Sequence, residues 1–199
     1  MVNHRDAELW EDFRNGDDYA FSQIYSIHSK KLYCYGLKFT SNSTLVEDAM
    51  QDLFSDLVKT RKNLGTTTNI QFYLLKSFKR RLFRQITKEK RYDLDKDEQQ
   101  YVFEITYSIE HDIILEENAS QKLQLLKKAL ETLTSRQKEA IYLRFTEELE
   151  YEMIAEIMNM SIESCRNLIY RTIKSLRSVL QSSSPNISLL FFFQKQSEN

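Results

Sequence analysis

The sequence predicts an all-α protein, two small helical domains joined by an acidic linker. Three observations carry that expectation. Across 199 residues there are only 3 glycines and 1 proline, too few for the tight turns of a sandwich or barrel. Apolar residues recur at helical spacing in long stretches on both sides of mid-chain. Charge nearly cancels overall, to a formal net −1, yet it is sharply segregated. From Arg61 to Tyr92 there are 10 Lys or Arg against the single acid Glu89, and from Asp93 to Ser120 there are 9 Asp or Glu against the single Lys96. The acidic stretch has no sustained helical period, so it reads as linker, although Tyr101, Val102, Phe103, Ile105, Tyr107 and Ile109 keep it from being purely polar. The expected organisation is a first domain over 1–92, linker over 93–120, a second domain over 121–181 and an apolar tail over 182–199.

Composition excludes several classes of function. With 41% hydrophobic residues the chain is not wholly disordered, and so little glycine argues against a phosphate-cradling loop. Cys34 and Cys165 stand far apart with no further thiol or histidine at ligand spacing, so neither a disulfide framework nor a metal site is expected, and no cofactor motif is present. The opening residues lack the apolar core of a signal peptide, and no segment approaches the ~18–20 apolar residues of a membrane span. A cytoplasmic protein is the expectation.

The elements follow in order. Asn15-Gly16 marks a turn, Asp17 or Asp18 caps the next helix, and Phe21, Ile24, Tyr25, His28, Leu32 and Tyr35 continue it at helical spacing. Over 44–60, Leu45, Val46, Ala49, Met50, Leu53, Phe54, Leu57 and Val58 recur as pairs every four residues, one apolar face of a helix. Its other face is acidic and polar, with Glu47, Asp48, Gln51, Asp52, Ser55 and Asp56. Asp48, Asp52 and Asp56 at four-residue steps also raise a metal-dependent hydrolase, but no nearby histidine or second carboxylate motif supports it.

A second long helical pattern covers 70–91, with Leu75, Phe78, Leu82 and Ile86 inward and a surround of Lys76, Lys79, Arg80, Arg81, Arg84, Lys88, Lys90 and Arg91. Phe72, Tyr73 and Phe83 lie among these cations. Aromatic rings beside Lys and Arg stack on unpaired bases while the cations hold the backbone, which makes this helix a nucleic-acid candidate; a solvated basic face over core aromatics is the alternative. The polar loop Asn63-Leu64-Gly65-Thr66-Thr67-Thr68-Asn69 either touches a flipped-out base or simply joins two helices.

Toward the C-terminus, Thr134 and Gln137 have the spacing of a capping box, followed by Ala140, Ile141, Leu143 and Phe145. A helix from about Glu150 buries Ile154, Ala155, Ile157 and Met158; Asn159 suits a left-handed turn and Ser161 caps the next helix. That last helix carries Cys165, Ile169, Ile173 and Leu176 inward and Ser164, Arg166, Asn167, Tyr170, Arg171 and Lys174 outward. This is a helix-turn-helix pattern whose exposed amides and cations suit phosphates and base edges of the major groove. A trihelical packing unit without a nucleic-acid role has the same spacing.

Taken together, these residues resemble the bacterial sigma-70-type RNA polymerase sigma factors, specifically the small extracytoplasmic-function group, over about residues 5–180. Val46-Glu47-Asp48-Ala49-Met50-Gln51-Asp52-Leu53-Phe54 is similar to the Glu-Asp-x-x-Gln-(Asp/Glu)-x-Phe motif of region 2, and Leu133-Thr134-Ser135-Arg136-Gln137 with the helix-turn-helix through Arg177 is similar to region 4. The resemblance implies a region 2-like bundle and a region 4-like helix-turn-helix, and a transcription initiation factor rather than an enzyme. Asp48, Gln51, Asp52 and Phe54 would then dock on core RNA polymerase. Tyr73, Lys76, Lys79, Arg80 and Arg84 would meet the minus-ten element of promoter DNA where the duplex opens. Ser164, Arg166, Asn167, Tyr170, Arg171 and Lys174 would read the minus-thirty-five element, and an anti-sigma regulator is the implied further partner.

This chain departs from the family pattern at four places. Arg80 and Arg84 replace the usual Asn and Asp or Asn, adding phosphate affinity at the expense of groups that read a base. Glu148 and Asn159 replace the usual glycines around the first helix of the helix-turn-helix. In the tail, Ser182-Ser183-Ser184-Pro185 breaks the helix before an apolar cluster of Ile187, Leu189, Leu190, Phe191, Phe192 and Phe193, expected to fold back on the chain or to bind a partner. The rival function is a stand-alone helix-turn-helix regulator that binds DNA unaided.

Overall fold

The computed structural model describes residues 4–90, 102–105 and 126–183, and its described elements are helices. The chain divides into two compact units, Met1–Tyr101 and Val102–Asn199. Among the described residues, no helix is long and apolar enough to cross a membrane.

The first unit is built from α1 (His4–Asn15), α2 (Asp18–Gly36), α3 (Ser43–Thr60), a 3-10 turn (Arg61–Asn63) and α4 (Ile70–Lys90). The Asn15-Gly16 turn is real, with Gly16 at φ +106°, a conformation side chains rarely adopt. Asp17 caps α2 by accepting from Tyr19 N and Ala20 N, and Asn42 caps α3 in the same way from Thr44 N and Leu45 N. The start of α4 takes two acceptors. Asn69 Oδ1 receives Phe72 N at 2.7 Å, and Asp6 Oδ2, from α1, receives Ile70 N at 3.1 Å. The apolar pairs of α3 turn inward as Val46, Ala49, Leu53, Phe54 and Leu57, and α4, which packs on α3, buries Leu74, Leu75, Phe78 and Leu82. Trp10 and Phe13 of α1 close the core, and the Trp10 indole donates to Gly65 O at 2.9 Å, pinning the polar loop before α4. Each such large side chain contributes about 1.5–3 kcal/mol by leaving water.

The second unit comprises residues 102–105, helical residues 126–131 (α5), α6 (Ser135–Phe145), α7 (Tyr151–Ile157) and α8 (Ile162–Ser183). The Thr134 and Gln137 capping box is formed on both sides: Gln137 N donates to Thr134 Oγ1 at 3.3 Å and Thr134 N donates to Gln137 Oε1 at 2.9 Å. Leu126, Ala129, Leu130, Leu133 and Ile141 pack with Leu176 and Leu180 of α8. Four residues of the acidic stretch join this unit. Phe103 is fully buried with its ring 5.7 Å from that of Tyr142, Ile105 packs on the cluster, and Glu104 pairs with Lys138 at 3.0 Å. Their apolar side chains explain why a segment expected to be linker carries them at all. Most of residues 93–120, and the apolar tail beyond Ser183, lie outside the described residues.

Candidate nucleic-acid interface

Asp48, Gln51 and Asp52 are exposed on α3, as a docking face requires. Asp52 and its neighbour one turn on are tied to α4: Gln85 Nε2 donates to Asp52 Oδ2 at 3.1 Å, and Arg81 Nη1 to Asp56 Oδ2 at 2.7 Å. Two of the three stepped carboxylates, Asp52 and Asp56, are therefore bonded to side chains of α4. Phe54 differs from its motif neighbours in being buried, 5% exposed, its ring 4.8 Å from Tyr25 and 6.2 Å from Phe21. It forms the floor of an open groove between α2 and α3, lined also by Tyr33, Met50 and Val58 and rimmed by Lys30, Glu47, Gln51 and Lys59. Periodicity alone missed this groove, because Tyr25 reads as a core position of α2 but is half exposed.

On α4, Lys76, Arg80 and Arg84 are exposed, while Tyr73 and Lys79 are half-buried. Tyr73 leans on Trp10, ring centroids 4.9 Å apart, which braces one side of the ring. Lys79 Nζ lies 5.6 Å from the Phe39 ring and 5.7 Å from Phe83, and Lys76 Nζ lies 5.6 Å from Phe72. The aromatics among the cations thus serve as seats for ammonium groups, each contributing about 0.5–1 kcal/mol at such exposure. The loop before α4 is internally bonded, Thr67 Oγ1 donating to Asn69 O at 3.1 Å and accepting from Asn69 N at 3.2 Å.

In the second unit α7, the turn Met158–Ser161 and α8 form a helix-turn-helix. Asn159 takes φ +49°, and Ser161 caps α8 by accepting from Ser164 N at 3.1 Å. Ser164, Arg166, Asn167, Tyr170, Arg171 and Lys174 are all exposed along α8, while Cys165, Ile169, Thr172 and Leu176 are buried on its other face. Burial, followed by the nearby Glu152 carboxylate, pushes the Cys165 thiol up, so it stays an unreactive core group. Arg166 is also held by residues that spacing did not single out: it pairs with Glu152 at 3.0 Å beside the Tyr151 ring. Tyr151 and Glu152 sit next to each other at the start of α7, the one signal that points to them.

The family described as Sigma-70, region 4 matches residues 123–176, the span that holds this helix-turn-helix. The match falls within the second unit and covers about a quarter of the chain. Solved structures share its fold. CnrH, determined in complex with the cytosolic domain of CnrY, aligns with a TM-score of 0.57 at 17% identity, over 90% of this chain and 99% of that one. The sigma factor RpoE of Bartonella quintana, determined with the anti-sigma factor NepR, aligns with a TM-score of 0.56 at 22% identity, over 81% of this chain and 96% of that one. At these identities the likenesses show a shared helical fold. No curated protein matches the sequence.

Proposed function

We propose that this chain is a sigma factor, a transcription initiation factor that works by binding, and that it docks on core RNA polymerase through Asp48, Gln51 and Asp52 above the groove floored by Phe54. It then recognises the minus-thirty-five element with α8 and holds the opened minus-ten strand on α4. The observation that carries the reading is the exposed face of α8: six amide, hydroxyl, aromatic and cationic side chains on one side of the second helix of a region 4 helix-turn-helix. On α4, Lys76, Arg80 and Arg84 supply phosphate contacts, and Tyr73, braced from behind by Trp10, offers its remaining face to an unpaired base. Base–aromatic stacking is worth about 1–3 kcal/mol per base, so binding to the single strand stabilises the opened duplex without a chemical step. CnrH and RpoE were each captured with a protein partner, an anti-sigma factor in the second case, and a regulator of that kind is proposed to restrain this chain as well.

Multi-round transcription with purified core polymerase and a promoter library tests the reading, with Asp52→Arg and Arg166→Ala run beside the native chain. Expected are promoter-specific transcripts that require the chain, lost with Asp52→Arg and weakened with Arg166→Ala. Absence of dependent transcripts, with specific duplex binding retained without polymerase, makes it a stand-alone regulator instead.

A further inference from the structure

Arg166 opens the exposed face of α8 and is held from two sides. Its Nη2 donates to Glu152 Oε1 at 3.0 Å, and its guanidinium carbon stands 5.5 Å from the centroid of the Tyr151 ring. The same ring carries the guanidinium of Arg144 at 4.7 Å. Arg144 is itself anchored, Nη1 donating to Leu149 O at 2.7 Å and to Glu150 at 3.3 Å. The end of α6, the turn after it and the first turn of α7 thus converge to fix one side chain of α8.

A phosphate contact does not require this. It needs positive charge within reach, which a free arginine supplies, and a carboxylate bonded to that arginine weakens the attraction. Reading a base edge has the opposite requirement, a planar fork presented at a fixed angle. With Nη2 committed to Glu152, the remaining N–H groups of the guanidinium are free to meet an acceptor pair such as guanine O6 and N7.

We propose that Tyr151 and Glu152 are positioning residues that orient Arg166 toward a guanine and away from phosphate, and so set the sequence preference at one base pair of the upstream promoter element. The proposal rests on the reading of α8 as the helix that faces duplex DNA. Tyr151 supplies an aromatic ring 5.5 Å from the guanidinium. Glu152 takes one edge of the fork, and its negative charge lowers affinity for any site that offers Arg166 only a phosphate.

The test uses holoenzyme assembled from the full chain and core polymerase on a library randomised across the upstream element, with transcripts sequenced. Native chain is compared with R166A, Y151L, Y151F, E152Q and the Y151L/R166A double variant, each first checked for an unchanged melting temperature. R166A is expected to flatten a guanine preference at one position by about tenfold, the size of one bidentate contact. Y151L flattens that same position, the double variant goes no further than R166A, and Y151F, which keeps the ring, behaves as native. E152Q raises output from sequences lacking the guanine and so narrows the ratio by about threefold, a readout a purely structural role does not move. An intact preference in both Y151L and E152Q overturns the proposal, as does a loss spread evenly over all positions. No chain-dependent transcript from the native protein overturns the functional reading and this proposal together, whereas a full native pattern with an indifferent R166A overturns this proposal alone.

Discussion

Arg81 Nη1 lies 2.7 Å from Asp56 Oδ2, joining the basic helix α4 to the acidic helix α3. One turn along, Gln85 repeats the connection to Asp52. The charge segregation along the chain is therefore partly resolved inside the first unit. Two helices proposed to meet different partners, polymerase and promoter, are cross-braced by their own side chains, and the outer acids Asp48 and Asp52 are left at the surface.

Asp56→Ala is expected to lower the stability of the first unit by about 1 kcal/mol, since both partners of the ion pair keep some solvent and screening limits its worth. Denaturant unfolding followed by Trp10 emission measures it, because Trp10 is the single tryptophan and is buried in this unit. A double-mutant cycle with Arg81→Ala should return a coupling of about 0.5–1 kcal/mol. Asp52→Arg should instead leave stability nearly unchanged and abolish binding to core polymerase; equal polymerase affinity in Asp52→Arg and native protein would remove α3 from the docking face.

Gly36 is the close approach of the first unit. A Cβ there would stand 2.7 Å from Val46 Cγ1 and 2.8 Å from Phe78 Cζ, and neither of those side chains has solvent to move into. Gly36→Ala is expected to destabilise by about 1–3 kcal/mol, outweighing the ~0.5–1 kcal/mol that alanine gains in a helix. Adding Val46→Ala should return less than half of the loss, because the Phe78 clash persists. A stabilised Gly36→Ala protein in the same Trp10 assay would mean that α2 shifts freely against α3 and α4.

What the sequence made legible was local. The Thr134 and Gln137 box, the Asn15-Gly16 turn, the Asn159 and Ser161 positions and the inward and outward faces of α3, α4 and α8 each depend on residues within a few positions of one another. What escaped depends on partners far along the chain. Asp6 caps α4 from 64 residues away, Phe103 leaves the acidic stretch to pack on Tyr142, and Gly36 is small because α3 and α4 lie against it. Tyr25 is half exposed where spacing assigns it to the core, since the groove between α2 and α3 is a property of two helices together. Glu152 and Tyr151 look unremarkable in sequence for the same reason: their partner Arg166 is on the next helix.

The two positions where family glycines are replaced both lie in the left-handed region, Glu148 at φ +55° and Asn159 at φ +49°. A side chain there costs about 1 kcal/mol, less for Asn, whose short amide bonds locally. Glu148 is exposed, so no packing is lost with it. Glu148→Gly is expected to stabilise the second unit by about 0.5–1 kcal/mol, and Asn159→Gly by about half that or less, after the extra freedom glycine has in the unfolded chain. Thermal unfolding by circular dichroism separates the two; a Glu148→Gly protein that melts lower would mean the turn is held by the Glu148 side chain rather than strained by it.

His28 ties the stability of the first unit to pH. It is buried on α2, its Nδ1 has no hydrogen-bond partner, and its pKa is lowered to about 4. Burial is the main cause; Asp6 opposes it and Lys31 adds to it. Since the unfolded histidine titrates near 6.5, the unfolded chain binds more protons than the folded one between those values. The contribution of neutral His28 is therefore complete above pH 6.5 and is lost as pH falls toward about 4, by up to about 3 kcal/mol. His28→Leu, which keeps an apolar side chain in place, should flatten the pH dependence of Trp10-monitored stability through that window. Identical slopes for the native and His28→Leu proteins between pH 6.5 and 4 would show that His28 takes up its proton without opening the core, and would assign the acid sensitivity of this unit to its carboxylates.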